Sequence, residues 1–349
     1  MGATPRGVLA RAVSVLVAAI GCVVVPAPPA SAHGPTGSGA PSSNYRVTVT
    51  AVPELAGLSV ELSDGGTEFV VTNRSAADLA ILDYSGSPYL RIDDTGVWEN
   101  RNSQAVVLNS QMVPPEVEPL ADPTISPDWH RLSTGHTARW HDHRAHWMDD
   151  EPAAVRAAPD RTHVVQSWSI PVEVDGRVAL ISGTIEWVPP PLLGGWLVVV
   201  AAVALVVAVA LVWRTRPALV ASTLVLGAVL VATMVGIWAD SSEPTTSKLA
   251  LATLPILVPA LLGGAAFTWD ERGTEPLWLA LLAGLLVVGS AAIGSGAWLA
   301  ESQLPTSLDA DLARWLVAGS VGVGLGVGGF SAWRLIATRA QGPIANPVS

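Results

Sequence analysis

The stretch WHDHRAHWM, residues 140–148, sets three imidazoles and two indoles within nine positions of a 349-residue chain that has only seven histidines. Neutral imidazole nitrogen is a ligand for zinc, copper and nickel. On an extended strand, His141 and His143 would project from one face with side-chain origins roughly 7 Å apart, since a strand rises about 3.3 Å per residue. Two rings at that spacing can converge on one cation. His146 joins them only if the chain bends after Arg144. Asp142 would face the other way and take a supporting role, as an acceptor that fixes an imidazole tautomer. A plainer reading stays open: a polar ladder on a sheet edge, with Asp142 and Arg144 paired across strands.

A second feature points to the same chemistry. Residues 1–32 carry Arg6 and Arg11, the apolar run AVSVLVAAIGCVVV, then PAPPASA with small residues at 30 and 32, the three parts of an export leader. Cleavage after Ala32 would make His33 the first residue of the mature chain. Its α-amino and ring nitrogens together chelate a divalent ion, copper(II) first by the affinity order. The amine, of ordinary pKa about 7.7–8.0, gives up its proton to a metal near neutral pH. The expected ligands are therefore His141, His143, His146 and His33, with copper(II) or zinc as the ion. The only cysteine, Cys22, lies in the leader, so the exported part must be held by its own core rather than by disulfides.

That core is expected from short alternating strands. YRVTVTAV places Tyr45, Val47 and Val49 on one face; LSVEL and TEFVVTN flank the turn SDGG; LAILDY, PYLRID and VWEN follow. Near the end, VVQSWSIPVEV and RVALISGTIEWV flank Asp175–Gly176, a strong hairpin signal. The pattern predicts an immunoglobulin-like antiparallel β-sandwich over residues 44–190, after a flexible Gly/Pro/Ser segment at 33–43. Residues 109–137 are Pro-rich and irregular, an insertion too long for a hairpin loop. The exported part has ten arginines against twenty-one acidic residues, which argues against nucleic acid and suits cations.

After WVPPP come five apolar segments, at about 193–213, 217–238, 249–269, 277–299 and 315–335. Each approaches the roughly 20 residues needed to cross a hydrocarbon core. Tryptophans at 196, 213, 238, 269, 278, 298, 315 and 333 lie near their ends, as interfacial anchors do. The inner loops and tail carry Arg214, Arg216, Arg272, Arg334 and Arg339, whereas the outer membrane loops carry Lys248 and Arg314, so the charge bias agrees with an exported N-terminal domain and a cytoplasmic tail at 338–349. Apart from Arg334 at the inner end of the last segment, none holds an ionisable side chain, which leaves no proton relay or ion path. GSVGVGLGVGG in the fifth carries Gly322/Gly326 and Gly324/Gly328 at GxxxG spacing, suited to packing within the bundle or against a partner membrane protein.

The junction ASA|HG, with histidines downstream in a sandwich, resembles the exported histidine-brace copper-binding proteins, which implies copper at the mature N-terminus. VTNRSAADLAIL, PYLRID, GVWEN, WHDHRAHWM and ISGTIEWVP are similar to a broad, functionally uncharacterised group of actinobacterial exported β-sandwich/multi-span membrane proteins. That likeness implies a plasma-membrane location and no activity. No nucleophile elbow, phosphate loop or HExxH motif is present, so no catalytic residue is assigned. The second reading is a non-catalytic envelope module that docks a membrane or cell-wall partner, with WHDHRAHWM as a rigid structural edge.

Overall fold

A computed structural model describes residues 43–110, 125–240, 249, 251–270, 273–293 and 295–340. Residues 1–42, His33 among them, and residues 111–124 lie outside that set. Ten strands form the first part of the chain, all antiparallel: β1 Tyr45–Ala51, β2 Leu58–Ser63, β3 Glu68–Asn73, β4 Leu79–Leu82, β5 Pro88–Asp93, β6 Gly96–Asn100, β7 Trp129–Ser133, β8 Thr137–His141, β9 His163–Val174 and β10 Arg177–Trp187. They make a seven-stranded sheet in the order β1-β10-β9-β4-β5-β6-β7 and a three-stranded sheet in the order β2-β3-β8. Phe69, Val71, Ala138 and Trp140 from the small sheet share one core with Leu79, Ile81, Ile92, Trp168, Ile170 and Ile185 from the large one.

Local chemistry accounts for the turns. Asp175 and Gly176 both adopt positive φ (46° and 78°), the pair of left-handed residues that a tight hairpin needs. Asp64, Gly65 and Gly66 do the same (50°, 67° and 92°) and carry the chain from β2 to β3. Gly183 serves a different end. A Cβ there would stand 2.0 Å from the Thr48 carbonyl oxygen and 2.3 Å from Trp168 Cζ2, so only glycine lets the indole lie across the sheet. The seven-to-three division is less even than that of an immunoglobulin domain. The irregular interval also contains a strand that its composition hides: β7, whose residues are mostly exposed and so show no alternation.

Among the described residues after Trp187, four α-helices follow: α1 Leu193–Asp240, α2 Leu254–Phe267, α3 Glu275–Ile293 and α4 Ala310–Ala340. Among the described residues α1, α3 and α4 are long and apolar enough to cross a membrane, and α2 is a shorter apolar helix. Helix α1 is broken at Arg214 (φ −145°, ψ 68°), three residues before Pro217. The contacts show what the break does. Trp196 meets Trp315 edge to face, and Gly322 and Gly326 of α4 lie against Val203 and Val207, so the first half of α1 runs parallel to α4. Gly236, near the other end of α1, meets Thr306 and Leu308 just before α4 begins. The chain therefore reverses at Arg214, and α1 is a helical hairpin. Proline is accepted in the first turn of the returning half, where its missing N–H is not needed.

The glycine stripe of α4 is consumed inside this bundle. Gly322 and Gly326 face the first half of α1, and Gly324 and Gly328 face Gly284 of α3. Of the two uses that spacing suits, packing within the bundle is the one these contacts show for the four glycines. The β-part sits on one end of the helices. Ser43 pairs with Gln303, Ser302 N–H donates to Asn44 Oδ1 (2.8 Å), and Gly65 N–H donates to Asp240 Oδ2 (3.0 Å).

Candidate metal centre

The site begins where β8 ends. Asp142 is extended (φ −138°, ψ 114°), and its carboxylate accepts from the Arg144 N–H (3.1 Å), capping a 3-10 turn over His143–Ala145. The strand expected to continue to His143 therefore stops at His141. Side-chain alternation no longer applies, and Asp142 does not point to solvent. It is fully buried, and takes Arg144 Nη2 at 2.7 Å, Arg144 Nε at 2.9 Å and Trp140 Nε1 at 3.0 Å. Burial alone would raise its carboxyl pKa, but the Arg144 guanidinium outweighs that and holds it below the usual range. Arg144 is fixed in turn by the carbonyls of Leu82 and Asp83 and lies over the Tyr84 ring. The Asp142 carboxylate holds Arg144 and Trp140, and Asp142 reaches an imidazole, that of His146, through its backbone carbonyl.

The turn brings the three rings together. The His141 and His143 ring centroids are 4.6 Å apart, and those of His141 and His146 are 4.2 Å apart. Each ring has one nitrogen on a backbone carbonyl. His141 Nδ1 reaches Thr67 O (2.9 Å), His143 Nε2 reaches Leu108 O (2.9 Å), and His146 Nδ1 reaches Asp142 O (3.1 Å). A carbonyl only accepts, so those three nitrogens carry the protons and the tautomers follow. In neutral rings the lone pairs are then at His141 Nε2, His143 Nδ1 and His146 Nε2. The first two face each other at 3.3 Å. The third is enclosed with no hydrogen-bond partner.

Two opposed lone pairs at that distance do not make a hydrogen bond; a proton or a metal ion between them would join the two rings. Burial works against a proton. It lowers the His141 pKa, and the nearby His143 adds to this. It pushes His146 down to about 3, reinforced by His141. With metal–nitrogen bonds of the usual 2.0–2.1 Å, a 3.3 Å separation corresponds to an angle of about 110° at the ion. That is close to tetrahedral. Carbonyls on the outer nitrogens are the usual second layer of a histidine metal site, fixing tautomer and ring orientation. Among the described residues no set of three or more His, Cys, Asp or Glu side chains stands in ligating geometry, the three histidines of this turn included.

The other histidines do not join. His136 Nδ1 contacts Asp93 O, His163 Nε2 contacts Ala158 O, and His130 is exposed on β7. His33 lies outside the described residues. Thr67, Leu108 and Tyr84 gave no sequence signal as parts of the site, because two act through backbone oxygen and the third acts only on the Asp142 turn; Arg144 does pair with Asp142, within the turn rather than across strands. No family model matches the chain, and no curated protein or solved structure is significantly similar to it.

Proposed function

We propose that this is a membrane-anchored protein whose exported β-domain holds a copper or zinc ion at His141 Nε2 and His143 Nδ1, with His146 Nε2 as third donor, for metal handling in the cell envelope. The observation that carries the reading is the 3.3 Å approach of two imidazole nitrogens whose outer partners are both backbone carbonyls. His33, if it is the mature terminus, supplies a separate chelate for copper(II). Titration calorimetry of the full-length protein in detergent, with zinc and with copper(II), tests this. Wild type and His33→Ala should bind one equivalent of zinc tightly, and His141→Ala/His143→Ala should not. Equal weak binding by all three overturns the site.

The domain is further read as immunoglobulin-like and outside the plasma membrane, with five crossings: two from α1 and one each from α2, α3 and α4. The reversal at Arg214 and the arginine bias of the inner loops support that count. In a Cys22→Ser chain, an impermeant maleimide should label Glu54→Cys and Thr245→Cys in intact cells, and Thr274→Cys only after permeabilisation. Labelling of Thr274→Cys in intact cells contradicts the topology.

One observation favours the structural-edge reading instead: the three rings tie together the backbone at Thr67, Leu108 and Asp142. On that reading the double variant loses stability in metal-free buffer and nothing is gained from metal.

A further inference from the structure

The arginines of the helical part collect at one end of the bundle, the end opposite the β-part. The first half of α1 starts shortly after β10, and its second half ends at Asp240, which bonds to Gly65. Arg214 and Arg216, at the elbow between the halves, therefore stand at the far end. Helix α4 brings two more arginines to the same level. Gly322 lies against Val203 and Gly326 against Val207, so the two helices advance in step. Eight residues further along each, Arg334 comes level with Thr215, between Arg214 and Arg216. The packing agrees: Leu211 and Leu219, on either side of the elbow, share one buried cluster with Phe330 and Leu335, on either side of Arg334. Arg339 follows, with its guanidinium 5.8 Å from the centre of the Trp278 ring in the first turn of α3.

Among the described residues, none of these four guanidiniums forms an ion pair with an acidic side chain. Arg334 Nε is enclosed and has no hydrogen-bond partner. Like charges gathered this way repel, and an anion between them relieves the repulsion. A guanidinium presents a planar fork of donors that matches two phosphate oxygens at once. We infer that this end of the bundle binds the phosphate of an anionic phospholipid, between the elbow of α1 and the last turns of α4. The level favours a lipid over a dissolved anion. Trp213, 81% exposed, and Trp278, 48% exposed, flank the arginines, as indoles do among headgroups. Val212 and Ile336, also exposed, offer apolar surface for the acyl chains. The charge favours an anionic headgroup over a zwitterionic one, whose ammonium would add a further cation to the cluster. Basic pockets between spanning helices recognise lipid phosphates in this way. The site stands apart from the histidine turn, and a phospholipid reaches it from whichever leaflet that end faces.

The test is native mass spectrometry of the full-length protein, stripped of lipid in detergent and titrated with dioleoyl-phosphatidylglycerol or dioleoyl-phosphatidylcholine. Wild type should retain one phosphatidylglycerol per chain, at least tenfold more tightly than phosphatidylcholine. Arg214→Gln/Arg334→Gln should weaken phosphatidylglycerol at least tenfold. The control pair Arg161→Gln/Arg177→Gln, which removes the same charge from exposed positions of the β-part, should bind as wild type does. Millimolar glycerol phosphate should leave the lipid in place. Equal retention of the two lipids by wild type overturns the site, and that comparison holds whether or not the Gln variant folds. An equal loss in the control pair reduces the effect to net charge and overturns it as well. Displacement by glycerol phosphate overturns the lipid in favour of a free phosphate.

Discussion

Gly65 donates its backbone N–H to Asp240 Oδ2 at 3.0 Å, which joins the β2–β3 turn to the end of the first helical hairpin. The next residue but one, Thr67, accepts from His141 through its carbonyl. One short turn thus touches the histidine cluster on one side and the helices on the other. Replacing Asp240 with Ala should release it. Loss of a charge-assisted hydrogen bond is worth about 1.5–3 kcal/mol where it is well formed. Amide exchange at Gly65 should accelerate by about tenfold or more, while exchange in β9 and β10 stays as in wild type. Unchanged protection at Gly65 would show that other contacts hold the turn.

Acid should destabilise the metal-free protein through His146. Its pKa is pushed down to about 3 by burial, and an unfolded imidazole titrates near 6.5. Between those values the unfolded chain binds the extra proton, so the stabilising effect is complete above about pH 6.5 and is lost as pH falls toward about 3. The slope reaches about 1.4 kcal/mol per pH unit for this one group, and His141, also lowered, acts in the same direction. Urea midpoints at several pH values with a chelator present will show it. His146→Phe should flatten the curve; a curve parallel to wild type refutes the assignment.

Removing the Asp142 carboxylate should be among the most damaging single changes in the β-part. Asp142→Ala strands the largely buried Arg144 guanidinium and leaves Trp140 Nε1 without its acceptor. Breaking a buried ion pair from one side costs about 3–5 kcal/mol. Asp142→Asn keeps the shape and part of the hydrogen bonding, so it should cost less. Tryptophan fluorescence during denaturation reports both, because Trp140 stacks on Phe69 at 5.3 Å in the core.

Within the helices, glycine positions should separate cleanly by what surrounds them. A Cβ at Gly284 would stand 2.6 Å from the Gly324 carbonyl oxygen and 2.9 Å from Gly328 N, so α3 and α4 must part. Gly284→Ala should cost about 1–3 kcal/mol, in the range of overpacked cores. Gly319 has nothing within 4 Å, and Gly319→Ala should change the melting temperature little or raise it, since Ala is about 1 kcal/mol better than Gly in a helix. Equal effects of the two variants in detergent would contradict the α3–α4 contact.

Much of the framework was determined by the sequence alone, because it depends on local periodicity. Alternation in YRVTVTAV and LSVEL placed β1 and β2, Asp175–Gly176 placed the β9–β10 hairpin, and hydropathy placed the apolar helices. The three histidines were visible by type and crowding. Their arrangement was not. Strand alternation predicted His141 and His143 side by side and Asp142 turned away; instead the Asp142 side chain capped a turn, ended the strand and went into the core beside Arg144. That outcome depends on where Leu82, Asp83, Tyr84 and Trp140 stand, and those are distant in the chain or across a sheet. The tautomers were decided at longer range still, by carbonyls at Thr67 and Leu108, whose oxygen is the same in every residue and leaves no mark in a sequence. The same holds for Gly322, Gly324, Gly326 and Gly328: their spacing announced close approach, but only the helix directions, fixed by the reversal at Arg214, decided that α1 and α3 fill it.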